Sequence, residues 1–319
     1  MRQRPPAEPA GKIGPALTTA RLPGEEPSLA GAREGFPAQP LHHLDVLWVQ
    51  VAGTLCNLAC THCFVSAGPR EERHAMMPRA EVRARLDEAL DMGVKEIYFT
   101  GGEPFLHPEI ETLIADTLAL APLTVLTNGT LLPERRVTWL AALSRRSRFS
   151  LELRVSLDGI DAATHDAIRG PGAWIRALSG VGALSRAGLL PIVTLTEPRG
   201  VEPAAFAARA RAVLIEAGVR EPRLKLLPLF RLGREAERSG GYGAGETLAG
   251  LPESAFDPHR LQCGSCRAVT SRGVFVCPLL VDEPAGRMGA TLVESARPFE
   301  LSHGACVTCW ATGMTCANG

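Results

Sequence analysis

Residues 79–104 read RAEVRARLDEALDMGVKEIYFTGGEP, and the reading of this stretch decides the fold. Its first half places apolar residues at Val82, Leu86, Ala89 and Leu90, the three- and four-residue steps that gather side chains on one helix face. Gly93 follows, a helix-stop signal because glycine takes the left-handed conformation without a Cβ clash. The apolar and β-branched run at 96–100 then reads as a strand. It ends on adjacent glycines, Gly101 and Gly102.

The same unit recurs in both directions. Strand-like runs lie at 46–51, 96–100, 123–127, 151–157, 191–196 and 223–228, and helix-like segments at 79–92, 108–120, 133–145, 173–187 and 203–217. Further glycine stops stand in "RAGLLP" and "EAGVR". Such alternation predicts an α/β fold with a parallel sheet and right-handed crossovers. Six strands rather than eight predict a partial (β/α)6 TIM-like barrel, with its chemistry at the C-terminal strand ends.

Composition sets the frame around this barrel. The chain has 319 residues, 45% hydrophobic and 21% charged, with 34 basic residues against 34 acidic ones. That balance gives no global field for nucleic acid or a membrane surface. No apolar run is long enough to span a bilayer. The first residues lack an uninterrupted apolar core, which argues against a secretory signal and for a cytoplasmic chain. Residues 1–40, rich in Pro, Gly and Ala, read as a flexible arm. Residues 41–230 read as the barrel, and 231–319 as a glycine-rich linker followed by a cysteine-rich module. Arginine-rich "RRVTWLAALSRRSR" (135–148) reads as a solvated helix face, and no GxxxxGK[ST] loop supports ATP hydrolysis.

Nine cysteines fall in two groups: Cys56, Cys60 and Cys63, then Cys263, Cys266, Cys277, Cys306, Cys309 and Cys316. In a reducing compartment such clusters bind metal or do redox work rather than form a disulfide framework. "CNLACTHC" (56–63) follows the first strand and has three thiols without a fourth. Three thiolates hold three irons of a cubane and leave one iron open, the mark of a catalytic rather than structural centre. A zinc loop with a distant fourth ligand, or three unrelated buried cysteines, are the alternatives on spacing alone.

Four motifs arrive in order at successive strand ends. They are CxxxCxxC with His62 before its third cysteine, "TGGEP" (100–104), "TNG" (127–129) and "VSLDG" (155–159). Together they resemble the signature of the radical S-adenosylmethionine (SAM) superfamily. The resemblance implies that Cys56, Cys60 and Cys63 ligate a [4Fe–4S] cluster whose open iron binds SAM. It implies that Gly101, Gly102 and Glu103 meet the methionine amino group, and that Thr127 and Asn128 lie near SAM. Ser156 and Asp158 are similar to residues facing its ribose and carboxylate. Arg169, in "HDAIRGPGAW" (165–174), resembles the arginine given to the carboxylate. The implied activity is one-electron cleavage of SAM to a 5′-deoxyadenosyl radical that abstracts hydrogen from a substrate. An electron donor such as flavodoxin or ferredoxin would serve as partner.

The tail resembles the SPASM and twitch modules of the same superfamily, which hold auxiliary [4Fe–4S] clusters. Its pieces are Gly273 before Cys277, the later C-x2-C of Cys306 and Cys309, and Cys316 soon after. "LPLFRLGRE" (227–235) looks like the stretch joining barrel and module. Six cysteines stand where a full SPASM module has seven, so one or two auxiliary clusters both stay open, as does a zinc ribbon built on the C-x2-C pairs. Among the histidines, His42 and His43 read as surface residues and His303 as a turn residue. Phe299 and Trp310 read as packing around a cluster. Family precedent suggests an oxidoreductase that matures a peptide or protein. Action on a small molecule is the alternative, and a non-catalytic zinc scaffold the second.

Overall fold

Each strand of the βα rhythm forms where the sequence places it. The computed structural model describes residues 35–313 apart from 199, 253, 254, 258 and 260. Residues 1–34 of the arm and Cys316 lie outside the described residues. Six strands, β2 (Val46–Val49), β3 (Glu96–Phe99), β4 (Leu123–Thr127), β5 (Leu151–Leu157), β6 (Ile192–Thr196) and β7 (Arg223–Leu227), pair in parallel in that order. Helices α1 (Arg79–Asp91), α2 (Ile110–Leu118), α3 (Glu134–Arg146), α5 (Ala173–Arg186) and α6 (Pro203–Glu216) alternate with them. The result is the parallel α/β core of a partial barrel.

Strand alternation divides the core. Leu47 and Val49, Ile97 and Phe99, Leu123 and Val125, Leu153 and Val155 face the helices and join the large core with Ile114, Leu140, Val181 and Phe206. Their neighbours Val46, Trp48 and Tyr98 face the bore instead, and Trp48 stacks on Tyr98 at 4.2 Å. A strand covered on both sides must be apolar throughout, which is why "VLWV" shows no polar alternation. Each large side chain so buried contributes about 1.5–3 kcal/mol.

The sheet extends beyond the six expected strands. β8 (Cys266–Thr270), from the cysteine-rich segment, pairs in parallel with β2, Val46 opposite Cys266 and Val49 opposite Val269. β9 (Gly273–Phe275) and β10 (Arg287–Gly289) continue it antiparallel. The C-terminal segment therefore covers the free edge of β2 and extends the sheet on that side. In a separate two-stranded sheet β11 (Phe299–Glu300) pairs with β1 (Ala38–Gln39), so residues 38–39 of the composition-defined arm form a strand. Gln39 there is fully buried.

Among the described residues three further short α-helices are α4 (Ala162–Arg169), α7 (Gly233–Ser239) and α8 (Gly304–Thr312). Asp161 caps α4 by accepting the Thr164 N–H at 2.8 Å, the common device for an orphan donor of the first turn. His303 caps α8 in the same way, its Nδ1 accepting the Ala305 N–H at 3.0 Å. Its expected role in a turn is thus realised as a helix cap. Among the described residues no helix is long and apolar enough to cross a membrane.

Candidate active site in the mouth of the barrel

The loop after β2 folds back on itself before it presents its thiols. Cys56 N–H donates to Gly68 O at 3.0 Å and Gly68 N–H to Thr54 O at 3.1 Å, closing the loop at its neck. Within it, Cys63 N–H reaches Cys60 O at 3.3 Å and Ser66 N–H reaches Cys63 O at 3.1 Å. Two sulfurs accept backbone donors, Cys56 Sγ from Leu58 at 3.4 Å and Cys63 Sγ from Ala67 at 3.3 Å. Asn128 Nδ2 lies 3.8 Å from Cys56 Sγ, and Arg169 Nη1 4.0 Å from Cys60 Sγ.

The glycine pair after β3 serves this loop directly. A Cβ on Gly102 would stand 2.0 Å from Leu55 O, and one on Gly101 2.8 Å from Gly53 O. Their absence lets Gly102 N–H donate to Gly53 O at 2.8 Å and Glu103 N–H to Leu55 O at 2.9 Å. The glycines thus bring the second strand end against the backbone just ahead of Cys56.

Glu103 turns away from the cavity. Its buried carboxylate accepts the Thr127 hydroxyl at 2.8 Å, the Asn128 N–H at 2.8 Å and the Phe105 N–H at 3.1 Å. Burial raises its affinity for a proton, and these three donors oppose that. Glu103 therefore fastens the end of β4 to the end of β3. Asn128, so fixed, donates to Asn57 Oδ1 at 2.8 Å and ties both strand ends to the cysteine loop.

Across the mouth, Asp158 at the end of β5 is buried between Arg169 and His62. Arg169 Nε lies 2.6 Å and His62 Nε2 2.8 Å from the same Oδ2. Burial alone would raise the Asp158 carboxyl, but the guanidinium and imidazole outweigh it and hold it well below the usual carboxylate range. Arg169 is likewise held charged against burial by Asp158 and the nearby thiols. His165 completes the group, its Nδ1 accepting the Asp158 N–H at 3.0 Å. Burial and the adjacent Arg169 push its pKa down to about 4, so it is neutral at pH 7.

These groups surround one cavity of about 220 Å³. Cys56, Cys60, Cys63, His62, Gly101, Gly102, Thr127, Asn128, Ser156, Asp158 and Arg169 all line it, so of the site residues expected for this cluster and SAM only Glu103 is not on its wall. Gln50, Arg154 and Thr194 form its floor with Trp48, and Arg154 Nε donates to Thr194 Oγ1 at 2.8 Å. Gln50, Arg154 and Thr194 belong to none of the four motifs, although an arginine in the apolar strand "LELRVSL" is a visible signal. His165 gave no comparable sign.

A second, apolar cavity is lined by Cys263, Cys277, Cys306 and Cys309, among Leu261, Val276 and Phe299. Burial pushes the Cys306 thiol up to about 12. Cys266 is fully buried on β8 and its sulfur lies 3.8 Å from Val276 O. Among the described residues no three His, Cys, Asp or Glu side chains converge as ligands of a single metal ion.

The first site fits the group its motifs imply. Three thiols share one wall, and backbone N–H groups point at two sulfurs, as the ligands of an iron–sulfur centre require. Burial pushes the Cys56 thiol up to about 12 and raises Cys60 as well, with Arg169 and Arg234 opposing the latter. Loading must therefore displace protons.

The chain resembles known proteins in sequence and in fold. The family model of the Radical SAM superfamily matches residues 51–197. An AdoMet-dependent heme synthase of Nitratidesulfovibrio vulgaris is 37% identical over 137 residues, 42% of this chain and 35% of the relative. GTP 3′,8-cyclase 2 of Mycobacterium bovis is 29% identical over 269 residues, 82% of this chain and 69% of the relative. The chain thus spans little more than a third of the heme synthase it matches. In fold, it resembles anSMEcpe with bound AdoMet, with a TM-score of 0.57 at 17% identity over 79% of this chain and 77% of that one. It also resembles Streptococcus suis SuiB, with a TM-score of 0.50 at 16% identity over 76% and 62%. Residues 51–197 of the chain thus carry a segment that matches the Radical SAM superfamily.

Proposed function

We propose that this chain is a radical SAM oxidoreductase whose first cluster is held by Cys56, Cys60 and Cys63. The observation that carries the reading is the single cavity on which those thiols meet Gly101, Gly102, Thr127, Asn128, Ser156, Asp158 and Arg169. When bound, the cluster and SAM supply one-electron chemistry that the polypeptide lacks. The chain's own residues bind and orient. Arg169 presents a fixed positive charge suited to the SAM carboxylate, and Asp158 holds that charge in place from a buried position. Glu103 acts one step back, positioning Thr127 and Asn128 rather than touching SAM itself. Leu279 and Val281 from the C-terminal segment help wall the cavity, which limits water around a reactive species.

We assign an auxiliary [4Fe–4S] cluster to Cys263, Cys277, Cys306 and Cys309, in a twitch- or SPASM-like module, because these four line one cavity. Cys266 then acts as a core residue of β8. Of the substrate classes, we favour a small polar molecule. Support comes from the polar floor of Gln50, Arg154 and Thr194, and from a sequence relation to GTP 3′,8-cyclase 2 that extends over 82% of this chain. The likeness to a structure with a bound peptide, at 17% identity, is one of fold. Flavodoxin or ferredoxin would donate the electron, in the cytoplasm. Anaerobic reconstitution with iron, sulfide and zinc counted in parallel tests the metal. Iron near background, or zinc in its place, refutes the reading. Turnover with small molecules against short peptides then separates the substrate classes.

A further inference from the structure

We propose that Arg234 is a positioning residue that holds the first cysteine loop in its ligand-presenting shape and links it to the packing of the C-terminal core. Its effect on a cluster rests on the reading above; its grip on the loop does not.

The guanidinium reaches back 174 residues to Cys60, where Nε donates to the carbonyl oxygen at 2.8 Å. Nη1 donates to Ser66 O at 3.3 Å, and Nη2 to Ala67 O. The Arg234 backbone N–H adds a fourth contact, to Cys63 O at 3.1 Å. One residue thereby binds four carbonyls of the segment that runs from the second cysteine past the third. A planar fork with donors in fixed directions suits this task, and a lysine could satisfy only part of it.

Two backbone features show that the grip is built in. Ser66 has φ of +46°, the only positive φ of a non-glycine residue among the described residues. Such a conformation persists where surrounding contacts over-determine it. Gly233, with φ of +52°, approaches so closely that a Cβ would stand 2.6 Å from both Cys63 O and Phe64 O. Among the described residues Arg234 forms no ion pair, and its guanidinium donors go to the loop carbonyls. On the other side, Phe230 and Leu232 of the same strap are buried in the core with Leu261, Val276 and Leu280, where Phe64 also packs. The segment that follows β7 is therefore held in the C-terminal core and grips the cysteine loop through its next residues.

Hydrogen exchange on the full-length chain tests this, before and after anaerobic loading with iron and sulfide. R234Q, R234K and the surface control R83Q are compared with the parent. In R234Q the amides of Cys63, Ser66 and Ala67 should exchange about tenfold faster, roughly the protection that one net hydrogen bond supplies, while β4 and β5 stay unchanged. R234K should fall between, and R83Q should match the parent. After loading, R234Q should lose iron to a chelator faster and shift the electron paramagnetic resonance of the reduced first cluster. Parental exchange of the loop in R234Q overturns the proposal. So does faster exchange spread evenly over the sheet in both R234Q and R234K, which is the mark of a merely structural arginine. If the parent takes up no iron on Cys56, Cys60 and Cys63, the proposed function fails, while the exchange comparison still decides the grip.

Discussion

Arg169 Nε and Asp158 Oδ2 stand 2.6 Å apart in the wall of the barrel mouth, both almost withdrawn from solvent, with His62 on the same carboxylate oxygen. Removing one partner of such a pair leaves an uncompensated buried charge, which costs about 3–5 kcal/mol. Asp158→Asn should therefore destabilise the unloaded chain by about that much in urea denaturation, before any question of activity arises. Because the folded carboxyl is depressed, its contribution is complete above the unfolded value near pH 4 and is lost only on further acidification.

The pH dependence nearer neutrality should come from His165. Its pKa falls from 6.5 to about 4 on folding, so between those values the unfolded chain takes up a proton that the folded chain refuses. Stability should then fall as pH falls through this window, by about 2–3 kcal/mol. Denaturant midpoints measured from pH 7 to 4.5 read the slope, and His165→Gln should flatten it.

Glu103→Ala should cost about 1–3 kcal/mol by leaving buried donors of Thr127, Asn128 and Phe105 unsatisfied. The loss should be the same with and without SAM, since the carboxylate serves the strand ends. A loss seen only in SAM affinity would place Glu103 in contact with the ligand instead.

Gly102→Ala would drive a methyl group to 2.0 Å from Leu55 O. We expect it to cost at least about 2 kcal/mol and to lower iron uptake at the first site, because the neck of the cysteine loop must move. Thermal unfolding and iron content check this together.

Iron stoichiometry separates the two cysteine groups. Two cubanes require about eight irons per chain. Cys60→Ala and Cys309→Ala should each remove about four, independently, whereas Cys266→Ala should keep the full complement and cost only packing. Loss of about four irons in Cys266→Ala would move that thiol into the ligand set.

The barrel was legible because its helices bury one face and its strands two, and both conditions write themselves into apolar spacing. Every strand from β2 to β7 lies within a residue or two of its sequence-derived position. The eighth strand was not legible. "CRAVT" (266–270) begins with a cysteine and carries Arg267, so it reads as a metal-binding turn, while its partner β2 is some 220 residues earlier. Arg267 tolerates full burial by donating to the carbonyls of Cys263, Cys266 and Ser295, contacts that only the folded chain supplies. Helix α4 is eight residues with one buried side chain, His165, too short for a periodic signal. The motif residues that line the cavity were legible from their order along the chain, whereas Gln50, Arg154 and Thr194 belong to no motif. The direction in which Glu103 turns was not, because a loop side chain's orientation depends on the donors that its neighbours offer.

The three N-terminal thiols and the motifs around them should act as one SAM-cleaving site. Reduced, anaerobically reconstituted protein should be incubated with SAM and assayed for 5′-deoxyadenosine. We expect the product from the parent chain and none from Cys60→Ala, with the auxiliary irons of that variant still in place. A fully iron-loaded parent that yields no 5′-deoxyadenosine, or a Cys60→Ala variant that yields as much as the parent, would contradict it.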